Sequence, residues 1–264
     1  MPTTHDRFAT PHPIRLHLRN AAGSVEIVAG AGAETTVDVT SGRGDPAIRV
    51  EMSSDARTLT VEPENGRYRH RVDMKVELPA GSEVHVDTAS AGVVVRGPVA
   101  QLDVSTASGS IDADQVDGRA ELGSASGSAQ VGTVAGPLGF RSASGSLRVA
   151  RVGASCEARS ASGSLAIGLA DGDVAAKSVS GRVVVGEAHR GTVDVGSTSG
   201  SVEVGVRRGT LVWLDVSSVM GRARSDLETE DAPTGTAGAP LTVRAQSVSG
   251  SVTITSTGTA AIAL

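Results

Sequence analysis

Serine hydroxyls are the side chains with the most regular spacing in this sequence. The tetrapeptide Ser-x-Ser-Gly occurs at 124–127, 142–145, 160–163, 178–181, 197–200 and 247–250, with a Thr-led version at 106–109. Hydroxyls at such intervals can form a flat outer array of the kind that ice-binding proteins use. They can instead form an internal ladder at a corner of the fold, where each buried hydroxyl bonds a neighbour or a backbone group.

The alternation of polar and apolar residues favours the internal ladder. Apolar residues stand two and four positions after the motif glycine, as Leu165 and Ile167 do after Gly163, and successive side chains of a strand point to opposite faces. We therefore expect the first residue of each motif to point inward: Thr106, Ser124, Ser142, Ser160, Ser178, Ser197, Ser218 and Ser247. The outward hydroxyls form a single file that Arg182 interrupts: Ser110, Ser128, Ser146, Ser164, Ser201 and Ser251.

Other residues that could do chemistry are few. Asp171 and Asp173 flank Gly172 and could form a pair of acids, but Asp-Gly is ordinary turn chemistry and recurs at Asp117-Gly118. Enzymes built from stacked β-coils need acidic or basic groups that converge in a groove, usually walled by long loops. Most turns between the strands here are too short to form such a groove. We predict no catalytic residue and no enzyme activity.

The sequence contains no motif for metal or cofactor binding. None of the six histidines lies three or four residues from another or from Cys156: His5, His12, His17, His70, His85 and His189. Cys156, the only cysteine, falls on an inward position and is expected to be a small core residue. The glycines precede no helix, so no phosphate-binding loop is predicted. We expect no metal and no cofactor.

Composition restricts the partners. The 264 residues carry a net charge of −5, which does not suggest a nucleic-acid surface. No segment is apolar enough for a membrane span, and residues 1–13 lack the apolar region of a signal peptide, so we predict a cytoplasmic protein. Aromatic residues make up only 2% of the chain, which predicts a thin core of Val, Leu, Ile and Ala.

The repeat that positions these residues predicts an all-β fold. Glycines 109, 127, 145, 163 and 181 are evenly spaced, and two short strands of alternating polarity fit into each interval. A constant interval of this kind predicts a stack of coils, each of about 18 residues. Neither strand can bury its apolar face alone, so the coils must stack into a β-solenoid, or β-helix, with glycine at each corner, where we expect positive φ.

The repeat also predicts two domains. Residues 1–85 do not follow the period and read as an antiparallel β cap, although Ala22–Ile27 looks like an early copy of the repeat. Residues 86–264 form the solenoid domain. Its last two landmark glycines, Gly221 and Gly250, are separated by more than one coil, and we assign the excess to an inserted loop near 225–240.

Several segments together resemble a known family. They are Pro13–Leu18, Ala22–Ile27, Val76–Ser82, the coils from Ser90 onward, Trp213–Val216 and Val243–Ala245. In these the chain resembles the actinobacterial β-strand-repeat proteins of the putative-adhesin, or toastrack, family. The resemblance implies a β-solenoid of unknown function without known catalytic residues, found in some lineages with envelope-stress components. Many family copies have Asn-Gly-Asp or Ser-Gly-Asp at the corner where this chain has Ser-Gly-Ser.

Two functions remain open at this stage. The first is a non-enzymatic scaffold or protein-binding module, and the alternative is an exported surface adhesin or carbohydrate-binding solenoid. Binding is expected at three places: the outward charged positions between the serines (Glu121, Arg141, Arg159 and Lys177), Trp213 and the 225–240 loop. Trp213 is expected to point outward because successive residues of a strand alternate between its two faces. Self-association through open coil ends is a further prediction, with Ala260–Leu264 as a cap or a pairing segment.

Overall fold

Regular structure in this protein consists of β-strands. The computed structural model describes residues 3–42, 47–64, 71–227 and 241–257, and every helix or strand element in these ranges is a strand. The strands divide between two compact units, Met1–Gly132 (unit 1) and Thr133–Leu264 (unit 2), with β13 (Ala129–Val134) at the division. The predicted all-β solenoid is confirmed, whereas the predicted domain boundary at 85/86 stays a prediction.

Unit 1 contains two sheets. Its strands before β13 are β1 (Thr3–Ala9), β2 (Arg15–Asn20), β3 (Gly23–Gly30), β4 (Glu34–Ser41), β5 (Ile48–Met52), β6 (Thr58–Pro63), β7 (Val72–Pro79), β8 (Glu83–Thr88), β9 (Gly92–Val99), β10 (Gln101–Thr106), β11 (Ile111–Val116) and β12 (Ala120–Ser124). One sheet has the order β1-β4-β7-β3-β9-β11 and the other β12-β10-β8-β2-β6-β5.

The region that was predicted to be an antiparallel cap mixes two kinds of strand pairing. Antiparallel pairing joins β1 to β4, β4 to β7 and β5 to β6. In contrast, β2 pairs in parallel with β6 and β8, and β3 pairs in parallel with β7 and β9. The segment Ala22–Ile27 therefore lies in a coil of the stack, as its likeness to the repeat predicts. Strand β1 is largely exposed, so its sequence carries no clear apolar alternation.

Unit 2 continues the same construction with nearly uniform coils. Its strands after β13 are β14 (Leu138–Ser142), β15 (Leu147–Val152), β16 (Cys156–Ser160), β17 (Leu165–Ala170), β18 (Val174–Ser178), β19 (Val183–Ala188), β20 (Thr192–Ser197), β21 (Val202–Arg207), β22 (Val212–Ser218), β23 (Ala223–Ser225), β24 (Leu241–Ser247) and β25 (Val252–Thr257). The sheets have the orders β15-β17-β19-β21-β25-β23 and β14-β16-β18-β20-β24-β22. Their parallel register aligns equivalent positions of consecutive coils, as in Cys156 with Val174.

The last two coils of unit 2 are not stacked in chain order. Strand β24 lies between β20 and β22, and β25 lies between β21 and β23. The coil of residues 212–225 is therefore terminal, and the coil of residues 241–257 is inside the stack. Glycine spacing does not predict this order, because every coil presents the same corner to its neighbours. Residues 228–240 of the predicted loop and the predicted Ala260–Leu264 cap lie outside the described residues.

The core between the sheets contains the side chains that composition predicts. Buried apolar residues are mostly Val, Leu, Ile and Ala, and the largest fully buried side chain is Phe140. Burial of this apolar surface is the main favourable term in folding. Because the core is thin, the corners must let the two sheets meet closely.

A ladder of hydrogen bonds forms one corner of the coils. The Ser178 hydroxyl donates to the Gly163 carbonyl of the preceding coil at 3.0 Å and accepts from the Gly181 amide of its own coil at 2.9 Å. The same two bonds recur at Ser160, Ser197, Ser247 and Ser218. The predicted inward serines are thus confirmed, and Ser160, Ser178, Ser197 and Ser247 are at most 6% exposed.

The motif glycines serve the ladder by close approach and not by an unusual backbone conformation. Positive φ occurs at other glycines, such as Gly191 and Gly209, so the expected positive φ at the motif corners is wrong. A Cβ atom at Gly163 would instead lie 1.9 Å from the Gly145 carbonyl oxygen, and one at Gly181 would lie 1.9 Å from that of Gly163. Only glycine lets consecutive coils approach this closely.

Substitution of a motif glycine by alanine tests this constraint. We expect Gly163→Ala to lower the stability of unit 2 by about 2–3 kcal/mol, the upper part of the usual range for overpacking, and so to lower the melting temperature by about 5–10 °C. The matched control is Gly123→Ala, because the added Cβ would lie 3.5 Å from its nearest neighbour, the Ser105 hydroxyl. Thermal unfolding followed by circular dichroism measures both. Equal melting temperatures for the two variants would contradict the close-approach account.

Candidate functional site

Three of the four predicted charged positions lie on the outer face of unit 2, whereas Glu121 lies on β12 of unit 1 and pairs with Arg119 at 2.5 Å. Arg141, Arg159 and Lys177 are aligned in register on β14, β16 and β18, and all three are exposed. Arg159 pairs with Glu157 at 2.9 Å, and Lys177 pairs with Asp194 at 2.8 Å. Exposed ion pairs of this kind contribute about 0–1 kcal/mol, so these cations can exchange partners at low cost.

The two candidate acids are not arranged as a pair. Asp171 binds Arg151 at 2.6 Å through Oδ2 and His189 at 3.0 Å through Oδ1. Asp173 accepts a hydrogen bond from the Thr192 amide at 2.8 Å, which joins the turn before β18 to the start of β20 in the next coil. Each carboxylate is thus engaged with its own side-chain or backbone donors.

Cys156 has the environment of a core residue. Its side chain is buried on β16, and burial raises the pKa of the thiol to about 12. At neutral pH it therefore stays protonated, and the thiol is a far weaker nucleophile than the thiolate. The structure agrees with the predicted packing role.

Parallel pairing brings together two histidines that are distant in the sequence. His17 on β2 and His85 on β8 are register partners, and their ring centroids are 5.4 Å apart. His85 lies 3.4 Å from Asp103 and 3.5 Å from Asp87. Spacing along the chain misses this contact because it arises only from the strand order of unit 1.

In the described parts of the chain, no group of three or more His, Cys, Asp or Glu side chains is arranged to hold a metal ion. No helix in the same residues has the length and apolar character that a membrane crossing requires.

Exposed apolar side chains are concentrated in one region of unit 2. Among the described residues, the large apolar side chains with strong exposure are Val179, Leu211, Trp213, Val219, Met220 and Val248. Their strands β18, β24 and β22 lie at one end of the sheet order, with β20 between β18 and β24. Contiguous apolar surface on a soluble protein commonly marks an interaction site.

This apolar region has two parts on the outer face. Trp213 is 72% exposed near the start of β22, beside its register partner Thr242, which confirms its predicted outward position. Val179, Val248 and Val219 follow the other ends of β18, β24 and β22, and we call these three residues the valine row. The corresponding turn positions of the preceding coils hold alanine. An alignment of the repeats would therefore show the valine row as a departure from alanine at this position.

Comparison with known families identifies a match over most of the chain. The family described as Toastrack DUF4097 matches residues 15–255 of this chain. Among curated proteins, no sequence matches it.

Several solved structures also match along nearly the whole chain. One is described as a putative adhesin from Bacteroides fragilis, with 11% identity, 97% coverage of each chain and a TM-score of 0.47. A second putative adhesin, from Parabacteroides distasonis, has 12% identity, 97% coverage of each chain and a TM-score of 0.45. A protein from the same species described as a putative lipid binding protein has 13% identity, 96% coverage of each chain and a TM-score of 0.39.

The histidine pair predicts a component of acid sensitivity. Burial, followed by the charge of His85 and then that of Arg15, lowers the pKa of His17 below its usual value of 6.5. The folded state therefore binds fewer protons at this site than the unfolded state. The resulting stability is present above pH 6.5 and is lost as the pH falls through 6.5 towards the lowered pKa.

We expect His17→Gln to lose less stability than the unchanged protein when the pH falls from about 7.5 to about 5.5. Urea unfolding of unit 1, followed at several pH values, measures the difference. His12→Gln is the control, because His12 is exposed in the turn before β2. An unchanged pH dependence in His17→Gln would contradict the effect of the pair.

Proposed function

We propose a function for this chain, which belongs to the Toastrack DUF4097 family: it is a non-enzymatic β-solenoid that binds a protein partner through the outer face of unit 2. The repeated coils supply a rigid surface, and the side chains at their turns supply the contacts. Binding surfaces on such stacked repeats are usually extended faces of this kind.

The observation that carries this proposal is the grouping of exposed apolar side chains. Val219 and Met220 are each 77% exposed on the turn that follows β22, and Trp213 is 72% exposed on the same strand. Desolvation of apolar and aromatic side chains dominates the energy of most protein interfaces, and Trp is enriched among the residues that contribute most. These side chains offer that energy only to a partner that covers them.

The chemistry of the polar residues supports a role without catalysis. Asp171 is engaged by Arg151 and His189, Asp173 bonds the Thr192 amide of the adjacent coil, and the Cys156 thiol is buried and protonated. These groups hold partners within the protein, whereas a catalytic site requires reactive groups that converge on a substrate. The cytoplasmic location and self-association stay predictions from the sequence, and the link to envelope stress stays what the family resemblance implies.

Loss of the exposed turn side chains should abolish partner binding without unfolding the protein. We expect the double variant Val219→Ser/Met220→Ser to keep its melting temperature, because both side chains are solvent-exposed. Its recovery of cross-linked partner proteins from a lysate of the source organism should fall at least about fivefold, which corresponds to roughly 1 kcal/mol of lost affinity. Quantitative mass spectrometry of the captured proteins gives the measurement.

The control is Ala125→Ser, which changes the equivalent turn position of a coil in unit 1 and should keep the captured set. Recovery of the same proteins by the double variant, or of none by any form, would contradict the proposal. Recovery of no protein by any form would favour the alternative of an exported surface adhesin or carbohydrate-binding solenoid, in which Trp213 would be the exposed aromatic side chain at the binding surface.

A further inference from the structure

A shallow groove crosses the outer face of unit 2 above β20. Its volume is about 550 Å³. Gly196 on β20 forms the floor, and the valine row lies along the turn end of the groove together with Thr198. In register, Gly196 has Lys177 on one side and Gln246 on the other, and Arg159 lies beyond Lys177. The groove thus has an apolar wall at its turn end and a cationic wall of Arg159 and Lys177 at its β16–β18 end, where Asp194 pairs with Lys177.

Gly196 leaves the floor open although the fold does not need glycine there. A Cβ atom at this position would meet only the Gln246 carbonyl oxygen at 3.6 Å, which is ordinary van der Waals contact. Its φ is not in the left-handed range. Glycine inside a strand is less stable than alanine and often marks a place where a ligand or another backbone approaches closely.

The occupant of this groove must lie on the face of the sheet. Strand β20 is paired with β18 on one side and with β24 on the other, so no further strand can pair with it. From Val179 to Val219 the valine row spans three strand spacings, about 14 Å. An extended chain of about four residues covers that length.

The two walls select the side chains of such a segment. A segment that crosses the strands would place apolar side chains against the valine row, and an acidic side chain at its β18 end would reach Arg159 and Lys177. Both cations are more than half exposed and hold only surface partners, Glu157 and Asp194. A carboxylate of the occupant can replace these partners at little cost.

We propose that this groove binds an extended peptide segment that has apolar residues along its length and an acidic residue at the end that lies on β18. This inference rests on the proposed protein-binding function and names the kind of segment that the partner presents. Apolar side chains pack on Val179, Val248 and Val219, the acidic side chain pairs with Arg159 and Lys177, and the backbone of the segment passes over Gly196.

A phage-displayed library of random twelve-residue peptides tests the proposal directly. Peptides selected on the purified full chain are resynthesised with a fluorescent label, and their affinities are measured by fluorescence anisotropy. We expect the selected peptides to share apolar residues with an acidic residue to one side of them. Gly196→Val should weaken their binding at least about tenfold, because its side chain fills the floor while valine suits a strand.

Two further variants separate blocking of the groove from loss of structure. Gly123→Val, at an outward position of β12 with similar space for a Cβ atom, should leave peptide binding unchanged. Lys177→Glu should weaken binding at least about tenfold by reversing a charge of the cationic wall. Melting temperatures near that of the unchanged protein would show that all three variants are folded.

Three outcomes would overturn the inference. They are enrichment of no peptide, equal binding of the selected peptides to Gly196→Val, and a dimer in light scattering that Gly196→Val dissociates, which would make a second copy of the chain the occupant. Failure of peptide selection, together with partner capture that depends on Val219 and Met220, would refute the peptide groove and leave the proposed function intact.

Discussion

The close contact between consecutive corners is the constraint on which the coils depend. At successive Ser-x-Ser-Gly corners of unit 2, such as those of Gly163 and Gly181, the motif glycine approaches the glycine carbonyl of the adjacent coil at a distance that excludes any side chain. The serine hydroxyl joins the two coils by accepting from one backbone and donating to the other, as at Ser178. Buried backbone groups that would lack partners at a sharp corner are thereby satisfied. The thin core can then close without large aromatic side chains.

A corner that is the same in every coil leaves other features free to change. The coil of residues 241–257 can lie between two coils that precede it in the chain, because Gly250 fits the corner of Gly200 as Gly221 fits that of Gly250. The outer face carries no such constraint either. Its turns hold alanine in some coils and valine in others, and Gly196 replaces a long side chain of neighbouring strands. Function is therefore expected to lie in the outward residues and not in the motif.

The sequence predicts the features that repeat, and it misses those that depend on how particular coils meet. Parity correctly places Ser160 inward and Trp213 outward, because a strand has only two faces. The period predicts the coils but neither the exchanged order of β22 and β24 nor the contact of His17 with His85, which arise from strand pairing between distant segments. The sequence also predicts the wrong role for the motif glycines, since a glycine at a corner can indicate either positive φ or close approach. The groove is not predicted from the sequence, because it forms only when Gly196, Lys177 and Val248 lie on or next to adjacent strands.

Native-state hydrogen exchange at the corner glycines tests the ladder most directly. The amides of Gly163 and Gly181 donate to the buried hydroxyls of Ser160 and Ser178 at 2.9 Å. If the ladder holds the coils together, nuclear magnetic resonance will show these amides exchanging as slowly as those of the central strands β16 and β18. Exchange as fast as that of exposed turn amides would contradict the account, because it would show that the corners open independently of the sheets.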